Sequence, residues 1–145
     1  MLTIGQTPNA YALITGNELF PSIKGKVELY DVYGGTLLKI EVYGLNMGTE
    51  KKNQRFLGMH IHDGDVHYNP QNQTHPGHAG DLPSILSQDG EAWMMIYSKR
   101  FYPEEVVGKR IVLHEQADDF RSQPSGNAGE IIAFGEIVAW DREIR

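Results

Sequence analysis

The chain has no cysteine among its 145 residues. That excludes a disulfide framework, thiolate metal sites and iron–sulfur clusters together. It has no apolar run near the ~18 residues that a membrane span requires. Met1 to Ala12 carries neither the basic start nor the apolar core of a secretory signal, so a cytoplasmic protein is expected, with secretion of a longer precursor left open. Positive charge is also short: 13 Lys and Arg against 19 Asp and Glu give a net charge of −6 and a pI near 5.4. Such a surface does not suit a nucleic-acid partner. It also opposes long-range attraction of an anionic substrate unless local basic groups override it.

Helix signals are scarce as well; Pro103-Glu104-Glu105-Val106-Val107, with proline at its first position, reads as one short turn. What is present is strand-like. Ala10 to Ile14 precedes a Gly16-Asn17 turn, and Gly25 to Tyr30 places apolar side chains at every second position. Tyr33-Gly34-Gly35 reads as a turn, followed by a β-rich run from Thr36 to Val42. Ala92 to Tyr97, Lys109 to His114 and Glu130 to Trp140 supply later strands. Asp63 to Ser84 and Glu115 to Gly129 read as two long loops, rich in Gly, Pro, Asn, Asp and Ser. No repeat or linker divides the chain, so residues 1–145 are read as one all-β domain, a sandwich or barrel. Its length suffices to bury roughly two-thirds of the unfolded surface.

All six histidines fall between Gly58 and His114. A neutral imidazole offers a nitrogen lone pair, which makes histidine the commonest protein ligand for transition metals. His60 and His62 form a His-x-His pair; on a strand, residues two apart share a face and can reach one ion. Ile61 between them then points to the core. By themselves the two could equally be polar residues on an outer strand face. His67, His75, His78 and Asp81 follow within fifteen residues as His-x7-His-x2-His-x2-Asp, three imidazoles and a carboxylate, a tetrahedral set suited to zinc. The plainer alternative is a polar loop that happens to hold histidines. His114 ends a strand and precedes the second loop, where it either completes a set of nitrogen ligands or is a structural histidine. Without thiolates, imidazole and carboxylate donors suit zinc or copper.

The blocks Gly58-Met59-His60-Ile61-His62, His67-Tyr68-Asn69-Pro70, Ala79-Gly80-Asp81-Leu82, Val112 to Asp119 and Gly126-Asn127-Ala128-Gly129 occur in an order that resembles the copper/zinc superoxide dismutase family. The resemblance runs from about Tyr11 to Ile137. It implies an eight-stranded antiparallel Greek-key β-barrel with two long functional loops. It further implies that His60, His62, His67 and His114 bind copper and act catalytically, and that His67 bridges to a zinc held with His75, His78 and Asp81. Asp118 would link a copper ligand, His60, to a zinc ligand, His75, fixing both rings. The implied activity is conversion of superoxide to dioxygen and hydrogen peroxide, with copper as the redox metal and zinc structural.

Three departures from the family pattern stand out. Only Asp63-Gly64-Asp65-Val66 separates His62 from His67, where the family carries a longer, cysteine-bearing loop; Phe134 stands at the matching late cysteine. That lost loop contributes to the eukaryotic dimer contact, so a monomer or a homodimer with a different interface is expected. The family's active-site arginine, two residues after the Gly-Asn-Ala-Gly block, is replaced by Ile131, with Glu130 beside it. Arg121 is a substitute candidate for guiding the superoxide anion, though a solvated loop charge is the plainer reading. The rival function is a non-catalytic copper- and zinc-binding protein on the same scaffold, such as a copper chaperone or a zinc store.

Overall fold

The structure, a computed structural model, describes residues 6–45 and 54–140. Met1 to Gly5, part of the stretch read above for a leader, lie outside them. Alternating side chains set the first strands: β1 (Ala10–Gly16), β2 (Lys24–Val32) and β3 (Gly35–Tyr43) each bury every second residue along most of their length. The β2–β3 register closes at Val32 opposite Gly35. The two residues between, Tyr33 and Gly34, both have positive φ (52° and 74°), the geometry of a two-residue turn whose twist matches its strands.

The remaining strands are β4 (Gln54–Asp63), β5 (Val66–His67), β6 (Asp81–Gln88), β7 (Ala92–Ser98), β8 (Arg110–His114) and β9 (Ile131–Ala139). The proline-led segment forms a short 3-10 turn, Pro103–Val106. All ladders are antiparallel. The order is β5-β4-β8-β9-β1-β2-β3-β7, with β6 also on β4. β3 therefore lies beside β7 while β4 lies beside β8, a Greek-key crossing. The sheet curls until β6 and β7, at its two ends, lie side by side. Eight of the strands form the barrel wall and the ninth, two-residue β5, belongs to a loop.

The first long loop is shorter than the sequence reading made it. It ends at Gly80, because Asp81–Gln88 is strand β6. Pro83 masks that strand in the sequence; among the described residues β6 is hydrogen-bonded to β4 alone, so a residue without an N–H is tolerated there.

Leu29, Leu38, Ile40, Leu57, Ile61, Ile85, Ile111 and Ile137 fill the interior at 1% exposure or less. β4 is buried on both faces: Leu57, Met59 and Ile61 point inward, whereas His60 and His62 lie on the outer face and are covered by the loops. Register then decides what stands beside each histidine. Inward Met59 and Ile61 pair with Leu113 and Ile111 of β8; outward His60 and His62 pair with Val112 and Arg110.

Candidate metal centre

All six histidines converge on the outer barrel wall, and every one is buried. His60 and His62 come from β4, His67 from β5, His114 from the end of β8; His75 and His78 come from the loop that leads into β6, which starts at Asp81. The His67 ring lies 4.0 Å from that of His60 and 5.0 Å from that of His62, centroid to centroid, and the His60 and His114 rings are 4.9 Å apart.

On one side of His67, four atoms gather. Its Nδ1 lies 2.7 Å from Asp81 Oδ1 and 3.1 Å from His78 Nδ1. His78 Nδ1 is 3.2 Å from Asp81 Oδ1. His75 Nδ1 is 3.1 Å from the same oxygen without forming a hydrogen bond to it. Donor atoms around a tetrahedral zinc, at bonds of roughly 2.0–2.1 Å, stand about 3.3 Å apart, close to these separations.

On the other side, nitrogens are left over. His60 Nδ1, His62 Nε2, His67 Nε2 and His114 Nε2 are buried with no hydrogen-bond partner. Donor atoms of His60, His62 and His114 lie within 4.8 Å of one another, as do those of His60, His67, His75 and Asp81. His60 appears in both groupings, but its Nε2 is engaged by Asp118, so the free Nδ1 decides its side. Buried polar atoms are otherwise nearly always paired. Several orphan lone pairs aimed at one another make sense around a cation.

Other residues fix which nitrogen is left free. His60 Nε2–H donates to Asp118 Oδ2 at 2.7 Å and His75 Nε2–H donates to Asp118 Oδ1 at 2.8 Å, so one carboxylate joins the two rings. His114 Nδ1–H donates to the Gly129 carbonyl at 2.9 Å. Gly126, at φ 79°, is needed here: a Cβ on it would lie 1.9 Å from Asp118 Oδ1. Burial pushes His60 down to about 4 and His62 to about 3, and it lowers His114 too. These rings are therefore neutral at pH 7, with lone pairs available. Burial would raise Asp81, but the His67 hydrogen bond and the charge of His75 hold it at about 2. Asp118 is likewise lowered, burial being outweighed by hydrogen bonds from His60, His75 and the Phe120 N–H.

A cavity of about 240 Å³ opens onto the orphan nitrogens, lined by His62, His67, His78 and His114 with Asp65, Val66, Asn69, Pro124 and Ser125. Ile131 starts β9 directly opposite His114 and is half-buried, while Glu130 is exposed. Arg121 is exposed, its backbone held in a turn by Asp119, and it does not line the cavity.

Sequence reading missed two residues that hold the loop histidines in place. Gln123 accepts from the His75 N–H at 2.9 Å and donates to its carbonyl at 2.6 Å. Arg100 donates to the carbonyls of Pro76 and His78 at 2.8 and 2.9 Å. Neither belongs to a motif, because each grips backbone rather than a particular side chain.

Fold and site together define a β-barrel metal-binding protein with a buried histidine–aspartate cluster on its wall. Residues 23–137 match the copper/zinc superoxide dismutase (SODC) family, and the chain belongs to that family. It is 31% identical to Cu-Zn superoxide dismutase 2 of Aquifex aeolicus, with 78% of each chain aligned. It is also 31% identical to the Cu-Zn superoxide dismutase of Onchocerca volvulus, over 90% of this chain and 95% of that one. Among solved structures, a proline-to-histidine variant of a SOD-like protein from Bacillus subtilis superposes with a TM-score of 0.73 at 26% identity, covering 89% of this chain and 97% of that one. The family binds copper and zinc, and the buried cluster fits that pair.

Proposed function

We propose that the chain is a superoxide dismutase in which His60 Nδ1 and the Nε2 atoms of His62, His67 and His114 hold copper. His67 Nδ1, His75, His78 and Asp81 hold zinc. The observation that carries this reading is the set of four buried, unpartnered nitrogens, one of them on a ring whose other nitrogen belongs to the Asp81 group. Bound there, copper supplies reversible one-electron chemistry, so that two superoxide anions and two protons give dioxygen and hydrogen peroxide.

The protein's part is positional. Asp118 and the Gly129 carbonyl fix the tautomers of His60, His75 and His114, so no ring must reorient during turnover. His67 is the residue placed to hold or release a proton at Nε2, since its Nδ1 stays committed to the Asp81 side. The cavity admits a small anion to His62, His67 and His114, while His60 is fully buried behind them.

Comparing dismutase rates of the copper- and zinc-loaded protein with His114→Ala tests this. The expected outcome is a loss of at least about a hundredfold, because the reaction has no catalyst besides the metal. Equal, background-level rates for the two proteins sink the enzyme reading. The second reading, a non-catalytic copper- and zinc-binding protein, is favoured by one observation: among the described residues, no Lys or Arg lines the cavity. Uptake of copper and zinc with dismutation at the uncatalysed rate decides for it.

A further inference from the structure

We infer that Arg110 is the anion-attracting residue of this site, taking over electrostatically where Ile131 supplies no charge; the inference rests on the copper-site reading above. Arg110 is the direct cross-strand partner of His62, on the outer face of β8. Opposed residues in an antiparallel pair have Cβ atoms about 5 Å apart, well within an arginine's length. Its guanidinium is turned along the wall toward the short loop, where Nη2 donates to the Gly64 carbonyl over a long 3.4 Å. The next two residues, Asp65 and Val66, line the cavity. On its other side the guanidinium lies over the Phe134 ring, 5.4 Å from the centroid. A cation–π seat of this kind holds a guanidinium in place and leaves its charge unneutralised.

Among the described residues, what separates Arg110 from the other cations near the site is its position opposite His62 with no carboxylate partner. Lys109 lies 3.9 Å from Asp63 and sits over the Tyr68 ring. Arg100 is held by two loop carbonyls and Arg55 donates to the Glu115 carbonyl; both keep their charge, but neither lines the cavity or pairs across strands with a histidine that does. Arg121 is exposed and away from the cavity lining. Arg110 has five donors, one weak hydrogen bond, and no carboxylate within 4.0 Å among the described residues, although Glu136 faces it across β8 and β9. Its charge also acts on His62, where it further disfavours protonation. Against a protein of net charge −6 and a cavity whose rim carries Asp65, the guanidinium beside His62 supplies positive potential next to the cavity. The short loop brings the Gly64 carbonyl to one side of the guanidinium, and strand β9 supplies Phe134 on the other.

The test is azide binding to the copper- and zinc-loaded protein, followed by visible absorption at several ionic strengths. Arg110→Gln is expected to weaken azide about fivefold to tenfold at low salt and to flatten the salt dependence, because a screened charge has been removed. Arg110→Lys is expected to recover most of both effects, and Arg121→Gln to stay within about twofold of wild type. Thermal melts of each variant separate loss of the Phe134 contact from loss of charge; only the charge moves the salt dependence. An Arg110→Gln affinity within twofold of wild type, or a wild-type affinity that ignores ionic strength, overturns the inference. Absence of dismutation in a protein that still binds copper and azide defeats the enzyme reading alone, whereas failure to take up copper defeats both.

Discussion

The two halves of the metal centre are built from different materials. His60, His62 and His114 stand on strands β4 and β8, where sheet register alone fixes their spacing. His75 and His78 stand on a loop, and the loop is tied down: Gln123 pairs with the His75 backbone, Arg100 holds the carbonyls of Pro76 and His78, and the His78 N–H donates to Asp81 Oδ2. The loop side is held in place by hydrogen bonds to its backbone, with only His75 Nδ1 left over among its buried ring nitrogens. The strand side leaves His60 Nδ1, His62 Nε2 and His114 Nε2 unpartnered, and His62 and His114 line the cavity. A sheet can afford such unsatisfied groups because its backbone ladders, and not the side chains, hold it in shape. A loop of Gly, Pro and polar residues has no such reserve, so its ligands need clamps.

Asp118 is where the comparison is most easily broken, because its two oxygens serve one histidine from each half. Asp118→Ala leaves two buried N–H groups without an acceptor. The expected result is a loss of about 10–100-fold in affinity for copper and for zinc alike, measured by competition with chelators. If only zinc affinity falls, the strand side does not depend on the loop side, and its register suffices alone.

Acid should separate the halves in a different way. His60 and His62 are held in the folded, metal-free protein at about 4 and 3, below the ordinary 6.5. The unfolded chain therefore takes up protons first as pH falls. The stability these rings contribute is complete above pH 6.5 and drains away as pH drops toward 4 and then 3, by an amount on the order of a few kcal/mol for each. Asp81 has the same sign of dependence in a lower window. Its carboxyl sits at about 2 instead of 3.8, so its contribution is intact above 3.8 and lost only below. Urea midpoints of the metal-free protein between pH 3 and 8 are expected to fall mainly below 6.5, and loading with metal to shift that fall to lower pH. A flat midpoint from pH 7 to 4 would falsify the claim that the strand histidines are buried neutral.

Sequence carried much of this, unevenly. The early strands were legible because they face a core on one side and water on the other, which writes a period of two into β1 to β3. β4 is covered on both faces and β6 contains Pro83, so each loses that period, and β6 reads as loop in the sequence. The histidine cluster was legible because ligand chemistry restricts residue type. Which nitrogen of each ring faces which side was not, since Asp118, Gly129 and the backbone settle it in three dimensions. Gln123, Arg100 and Arg110 were silent for the same reason: their partners are carbonyls, an N–H, or the face of a ring.

Ile131 offers the mildest and most informative perturbation of the strand side. It begins β9 opposite His114 and is half-buried, so a longer side chain there can reach past His114 toward solvent without displacing the core. Ile131→Arg adds a guanidinium to a molecule of net charge −6. A positive charge at that point raises the local concentration of an anionic substrate, and the gain shrinks as ionic strength shortens the screening length from about 30 Å at 0.01 M to about 8 Å at 0.15 M. Where Arg110 already supplies such potential, a second cation gives only a few-fold increase in kcat/KM at low salt; in an Arg110→Gln background the same substitution is expected to give more. Equal gains in both backgrounds would mean that the two positions act on the anion independently, each at its own distance from the cavity. No gain in either would place Ile131 out of the substrate's electrostatic reach, and the strand side would then owe its anion access to Arg110 alone.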